Sequence, residues 1–254
     1  MTRSDDLAKV ALGLEVVVGI PAVAYLAARG QPPEDPVIPV SAVMCAKNED
    51  PDLVRTAVDS LESQLVVKED DPYDVLFAKE SSEIILVTGE GEDYGLLEYP
   101  NLRVYSAPTG KLRARNLGTR LAVNDVILAV DADTYYPPGW IGIMANQFKD
   151  PEVVGVAGTS DFFGFPLVDA PLFLWYSLVL SKKMSGRSSA FRKWAWEATG
   201  YFDESKETDL ITLMKEEEVD FYERLKTVGK VVFVNFPVEH HGGFGSGRGL
   251  RTHL

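Results

Sequence analysis

From Val37 onwards, short apolar runs alternate with stretches whose apolar residues recur at helical spacing. Val40 to Cys45 reads as a first strand. Asp50-Pro51 then supplies a capping carboxylate followed by proline at the first helical position, and Leu53, Ala57 and Leu61 recur on one helical face. Glu83 to Val87, Leu102 to Tyr105 and Val126 to Val130 read as further strands. A helix is expected over about Arg113 to Val123, with Leu117 and Leu121 on one side. Another, from about Gly139 to Phe148, leads into a strand Val153 to Ala157, and Lys230 to Asn235 reads as the last strand. This alternation predicts an α/β domain with a mostly parallel, Rossmann-like sheet, whose ligands sit beyond the carboxyl ends of its strands.

The N-terminal pattern differs. Val10 to Ala28 is apolar apart from Glu15 and is bounded by Lys9 and Arg29. Its length matches the about 20 residues that cross a bilayer, and Glu15 is the flaw in that reading. A single anchor, an interfacial helix, a helix packed on the domain and a cleaved leader all fit the pattern. The proline-rich stretch 31–36 reads as an extended linker. The expected organisation is thus a hydrophobic N-terminal helix and linker over residues 1–36, then a catalytic domain over residues 37–254.

Composition narrows the function. The chain has 254 residues, enough to bury a substantial core. Its net charge of −13 argues against nucleic acid as a partner, because phosphate neutralisation needs a basic surface. Cys45 is the sole cysteine, so an intrachain disulfide and a thiolate metal cluster are excluded, in keeping with a reducing compartment.

Candidate chemistry begins at Asp131-Ala132-Asp133, directly after the apolar run 126–130. Two carboxylates at the end of a buried strand are costly unless a cation or hydrogen-bond donors satisfy them. Mg²⁺ or Mn²⁺ would do so, since such hard ions take oxygen ligands and let substrate phosphates complete the shell. The plain alternative is a pair of capping aspartates before the turn Pro137-Pro138-Gly139.

Several segments in order sharpen the choice. Residues 40–49, ending Ala46-Lys47-Asn48-Glu49, residues 83–87, the basic stretch 111–118, and Asn124 to Asp133 together resemble family-two inverting glycosyltransferases of the A-type nucleotide-sugar-binding fold. Gly200-Tyr201-Phe202-Asp203-Glu204 and the stretch Glu217-Glu218 through Arg224 to Gly229 resemble later motifs of that family. The likeness runs from about Val37 to His241. It implies an enzyme of the hexosyltransferase kind that moves a sugar from a nucleotide-sugar donor to an acceptor hydroxyl.

The resemblance also implies roles. Asp131 and Asp133 would hold a divalent cation, Mn²⁺ or Mg²⁺, against the donor diphosphate, with Asp133 the more direct ligand. Lys111, Arg113 and Arg115 would neutralise that diphosphate or border the nucleobase, and Asn48 and Glu49 would face the nucleoside. Glu218 stands where the family places its base, with Glu217 in reserve; an acidic helix N-terminus is the plain alternative. His240 and His241 are candidates to complete the metal site, with an ordinary surface pair the alternative. Two departures stand out. Thr88-Gly89 replaces the paired aspartates that commonly follow the second strand, so the nucleobase is left open, and the Gln-x-x-Arg-Trp signature of processive synthases is absent, which favours single-sugar transfer.

A sugar-nucleotide nucleotidyltransferase would want a glycine-rich loop after the first strand, and Ala46-Lys47-Asn48-Glu49 is not one. A catalytically inactive nucleotide-sugar-binding subunit is the alternative from another class. Finally, Phe165 to Lys183 combines Phe173, Trp175, Tyr176 and Leu180 with the basic end Lys182-Lys183. Aromatic and basic residues beside an apolar face suit a headgroup-level helix; a segment packed on the sheet with its aromatics in the core is the plain alternative. With Val10 to Ala28, it leads to the expectation of a membrane surface, on the cytoplasmic face, and a lipid-linked acceptor.

Overall fold

The computed structural model describes residues 33–108, 110–161, 184–206 and 216–241. The apolar run 10–28, the segment 165–183 and the chain after His241 lie outside the described residues. In chain order the elements are β1 (Val40–Ala46), α1 (Pro51–Leu65), α2 (Tyr73–Ser81), β2 (Glu83–Gly89), β3 (Leu102–Ala107), α3 (Lys111–Leu121), β4 (Val126–Asp131) and β5 (Thr134–Tyr135). They continue with α4 (Trp140–Ala145), β6 (Val153–Asp161), β7 (Ser189–Arg192), α5 (Lys193–Ala198), α6 (Glu216–Leu225) and β8 (Lys230–His240).

Among the described residues, eight strands form one sheet in the order β3-β2-β1-β4-β7-β6-β8-β5. The half β3-β2-β1-β4 is parallel throughout, as the alternation of elements predicts. Beyond β4 the sheet is mixed: β7 runs antiparallel to both β4 and β6, β6 and β8 are parallel, and β5 is antiparallel to β8. The expectation of a mostly parallel sheet therefore holds for one half and is corrected in the other. The cause is β7, a four-residue strand too short to leave an apolar pattern of its own.

Both faces of the inner strands β2, β1 and β4 are covered, which is why they read as nearly continuous apolar runs, whereas the edge strand β3 is largely exposed. Val40, Ala42 and Met44 of β1, with Leu128 and Val130 of β4, pack with Val54, Ala57 and Leu61 of α1 and Trp140 of α4. The alternate residues Val43, Ile85 and Ile127 face α3, Phe191, Trp196 and Phe221. Asp50 caps α1 as its sequence predicts, its carboxylate accepting the Asp52 N–H at 3.0 Å. The end of the expected linker lies against the domain: the Val37 N–H donates to Asn146 Oδ1 at 3.1 Å, and Asp35 pairs with Lys79 of α2 at 2.9 Å.

The strand order dictates a curl. Only Ala132 and Asp133 separate β4 from β5, a reach of about 10 Å, yet β7, β6 and β8 stand between them in the sheet, about 19 Å if flat. The sheet must bend round the Asp131–Asp133 turn, and in doing so it carries the end of β8 to that turn.

Candidate active site

Asp131 ends β4, in register with Cys45 of β1. Its Oδ1 meets Lys111 Nζ at 3.0 Å and Arg115 Nη2 at 3.2 Å. The two cations lie four residues apart in α3 and so share one helical face. A third cation, Arg187, stands 3.8 Å from Oδ2. Burial would push the Asp131 carboxyl up, but the charges of Lys111, Arg115 and Arg187 overcome it and hold the group far below the usual carboxylate range. Asp131 is ionised at any working pH. Arg113, two residues and so about half a turn from both Lys111 and Arg115, lies on the opposite face of the helix and pairs with Glu204 at 3.3 Å.

Arg115 is almost wholly buried and also donates to the Gly186 carbonyl at 2.9 Å. A Cβ on residue 186 would lie 2.5 Å from Arg115 Nη1, so a side chain there would have to displace the guanidinium. The Gly186 N–H in turn donates to Glu218 Oε1 at 3.0 Å, and the Met184 N–H donates to the Glu218 carbonyl at 3.1 Å. One dipeptide step thus links the acidic start of α6 to the end of β4. Glu217 parts from its neighbour: it is buried, and its Oε2 accepts no hydrogen bond.

The loop after β1 forms another wall. Asn48 adopts a left-handed conformation (φ 55°), and its N–H donates to Glu92 Oε1 at 2.9 Å. Glu92 Oε2 accepts from the Gly89 N–H at 3.2 Å and from the Tyr94 hydroxyl at 3.1 Å, and Tyr94 Oη accepts the Glu49 N–H at 3.3 Å. Glu92, placed after β2, therefore ties the two loops together through their backbones. Glu49 feels burial first, then Asp133 and Asp131, and its carboxyl is pushed up to about 7 against the opposing pull of Lys111.

Asp133 and the histidine pair meet through the backbone. The β5–β8 pairing sets Thr134 opposite His240, and the His241 N–H donates to the Asp133 carbonyl at 2.8 Å. The His241 ring stacks on Tyr135 at 6.3 Å between centroids, and its Nε2 lies 3.8 Å from Glu239. The remaining motif residues hold the frame. Asn116 of α3 donates to the Phe202 carbonyl at 3.0 Å and accepts the Phe202 N–H at 3.1 Å. Arg224 of α6 pairs with Asp220 and donates to the carbonyls of Thr199 and Tyr201 at 2.6 and 2.7 Å.

The structure thus gathers Asp131, Lys111, Arg115 and Glu218 around the Gly186 step, and sets Asn48, Glu49 and Asp133 beside it. Arg113 and Glu217 are not brought in. Arg187, Tyr136 and Gly186 belong to the same surroundings and carry no local sequence signal; Glu92 belongs there too, in the acidic stretch that follows the second strand where the family commonly has its aspartates. Among the described residues no three His, Cys, Asp or Glu side chains converge as a ready-made cation cage. The crowding of Glu49 by Asp133 and Asp131 is nevertheless the charge pattern a divalent cation relieves, and such an ion needs few protein carboxylates when phosphate oxygens complete its shell. The residues fit the ion.

Comparison with known proteins agrees with this geometry. The model of the family described as Glycosyl transferase family 2 matches residues 41–204. No curated protein matches the chain. Among solved structures, the mannosyltransferase PcManGT from Pyrobaculum calidifontis, in complex with GDP-Man and Mn²⁺, aligns at 16% identity and a TM-score of 0.60. The alignment covers 96% of this chain and 71% of that one. S. aureus TarS 1–349 aligns at 15% identity and a TM-score of 0.57, covering 81% of this chain and 61% of that one. GalNAc-T7, with UDP, GalNAc and Mn²⁺, aligns at 16% and 0.57, covering 80% and 44%. These likenesses establish the shared fold. With the family's match running from β1 through the Asp131–Asp133 turn to Glu204, the chain belongs to glycosyl transferase family 2.

Proposed function

We propose that the chain transfers a single sugar, with inversion, from a nucleotide-sugar donor to an acceptor hydroxyl with the help of a divalent cation. The observation that carries this reading is the tether of Glu218 to Gly186, whose other side is held by Arg115 and so by Asp131. A base at Glu218 and a cluster of cations around Asp131 to receive the departing diphosphate are what direct displacement requires. The complexes of PcManGT and GalNAc-T7 with Mn²⁺ support the choice of ion.

In this reading Asp133, with Asp131 behind it, would hold the cation. When bound, the cation offsets the charge that develops on the departing nucleoside diphosphate. Lys111 adds positive charge at the same place, and Asn48 and Glu49 face the nucleoside. Glu218, oriented by the Gly186 N–H, takes the proton of the acceptor hydroxyl as its oxygen attacks the anomeric carbon. The new C–O bond forms as the bond to the diphosphate breaks, and its electron pair leaves on the phosphate oxygen. Asp220 is a poorer base, because Lys206 and Arg224 hold its carboxylate at 2.7 and 2.8 Å.

Calorimetric titration with nucleotide sugars tests both halves. EDTA and Asp133→Ala should each weaken donor binding sharply; undiminished affinity in EDTA would sink the cation assignment. Glu218→Gln should cut turnover by roughly 10²–10⁴-fold, the usual range for losing a general base, while leaving donor affinity nearly intact. A variant that keeps most of its turnover would overturn the assignment of the base to Glu218.

A membrane setting belongs to the same proposal. The apolar run 10–28 and the aromatic, basic segment 165–183 support an enzyme at the cytoplasmic face of a membrane acting on a lipid-linked acceptor. Among the described residues, no helix is long and apolar enough to cross a bilayer.

A further inference from the structure

Arg187 lies outside every motif, yet the Gly186-Arg187 step is fixed from four directions. Glu218 accepts the Gly186 N–H, Arg115 donates to the Gly186 carbonyl, and the Arg187 guanidinium faces Asp131. The fourth hold is Tyr136, fully buried, whose hydroxyl donates to the Arg187 carbonyl at 3.1 Å and accepts the Asp131 N–H at 2.8 Å. The backbones of Arg187 and Asp131 therefore share one phenolic oxygen. A hydroxyl so placed is expensive to disturb, since its loss leaves a buried N–H and a buried carbonyl unpaired.

Resting on the reading that this site receives a nucleoside diphosphate, we propose that Arg187 binds the diphosphate and that Tyr136 is the positioning residue that holds Arg187 in place. Three cations face one carboxylate here. Arg115, with 4% of its side chain exposed, lies beneath the surface and serves Asp131 and Gly186. Lys111, 40% exposed, and Arg187, 25% exposed, are the two that an incoming anion can reach. Lys111 and Arg115 already sit on Asp131 Oδ1 within 3.2 Å, whereas Arg187 stands off Oδ2 at 3.8 Å, longer than a hydrogen bond. Asp133, two residues beyond Asp131, suits a divalent cation. A diphosphate is the ligand that satisfies cation-binding carboxylates and a guanidinium at once, and arginine's planar fork matches phosphate oxygens in bidentate fashion.

The test is calorimetric titration of the full chain with Mn²⁺ and UDP, GDP or dTDP, against the matching monophosphates. For whichever nucleotide binds, Arg187→Met should lower diphosphate affinity by about 10-fold or more, the loss expected for a charged hydrogen-bonded contact. Monophosphate affinity should change little. Arg187→Lys should recover part of the loss, and Tyr136→Phe should show the same selective weakening to a smaller extent. If Arg187→Met unfolds by circular dichroism, Arg187→Lys alone decides, since an ammonium cannot replace the fork and should still cost several-fold. Unchanged diphosphate affinity in the folded variants would overturn the inference and leave the proposed function standing. So would equal losses for mono- and diphosphate. A wild-type chain that binds no nucleoside diphosphate would take both down.

Discussion

Glu49 stands half-buried in the loop after β1, where burial and the charges of Asp133 and Asp131 raise its carboxyl to about 7. The folded chain thus holds this proton more tightly than the unfolded chain, where the group titrates near 4.5. The associated stability is fully present below the unfolded value and is lost as pH rises through the folded one. Wild-type melting temperature should therefore fall between about pH 5 and pH 8 without added divalent cation, and Glu49→Gln should flatten part of that fall. Parallel curves for the two proteins would show that another group is responsible. Residue chemistry was partly legible in the chain. Lys111 and Arg115 are four apart, so a helix must stack them on one face, and the structure sets both on Asp131. Arg187 gives no such sign, because its meeting with Asp131 depends on contacts from Tyr136, Arg115 and Glu218.

At the scale of elements, α3 shows how closely a helix can be pressed to the sheet that it serves. A Cβ at Gly118 would lie 2.5 Å from Val43 Cγ1 and 3.2 Å from Val87 Cγ2. Val43 is buried and stiff at χ1, so it cannot easily yield. Overpacking of this kind costs about 1–3 kcal/mol, against about 1 kcal/mol gained in helix propensity. Gly118→Ala should therefore lower stability in urea denaturation, and in a Val43→Ala background the same change should cause no further loss. A stabilising Gly118→Ala would show that close approach is not what keeps glycine there. The long strands and α1 were visible because apolar period and capping residues agree. Helix α2 was not. Its burial rests on Val75 and Ala78, and on Lys79, whose ammonium reaches Asp35 and Asp71 at 2.9 and 3.0 Å.

For the whole molecule, the open question of setting has a direct measurement. If the run 10–28 brings the enzyme to a lipid surface, the full chain should float with anionic vesicles and a chain beginning at Pro36 should float less or not at all. A full chain that stays in the soluble fraction and never floats would overturn the membrane reading. The sequence by itself determined the parallel half of the sheet and the positions of Asp131 and Asp133 at the end of β4, because apolar periodicity and strand ends are local properties. It also placed Glu218 near the start of a helix, since family motifs are written in consecutive residues. Only the tertiary structure decided that the sheet curls, that β7 runs antiparallel, that Arg187 rather than Arg113 faces Asp131, and that His241 meets Asp133 through the backbone. Those features join residues from 32 to over 100 positions apart, and no local pattern encodes which distant strand will be a neighbour once the sheet closes round its turn.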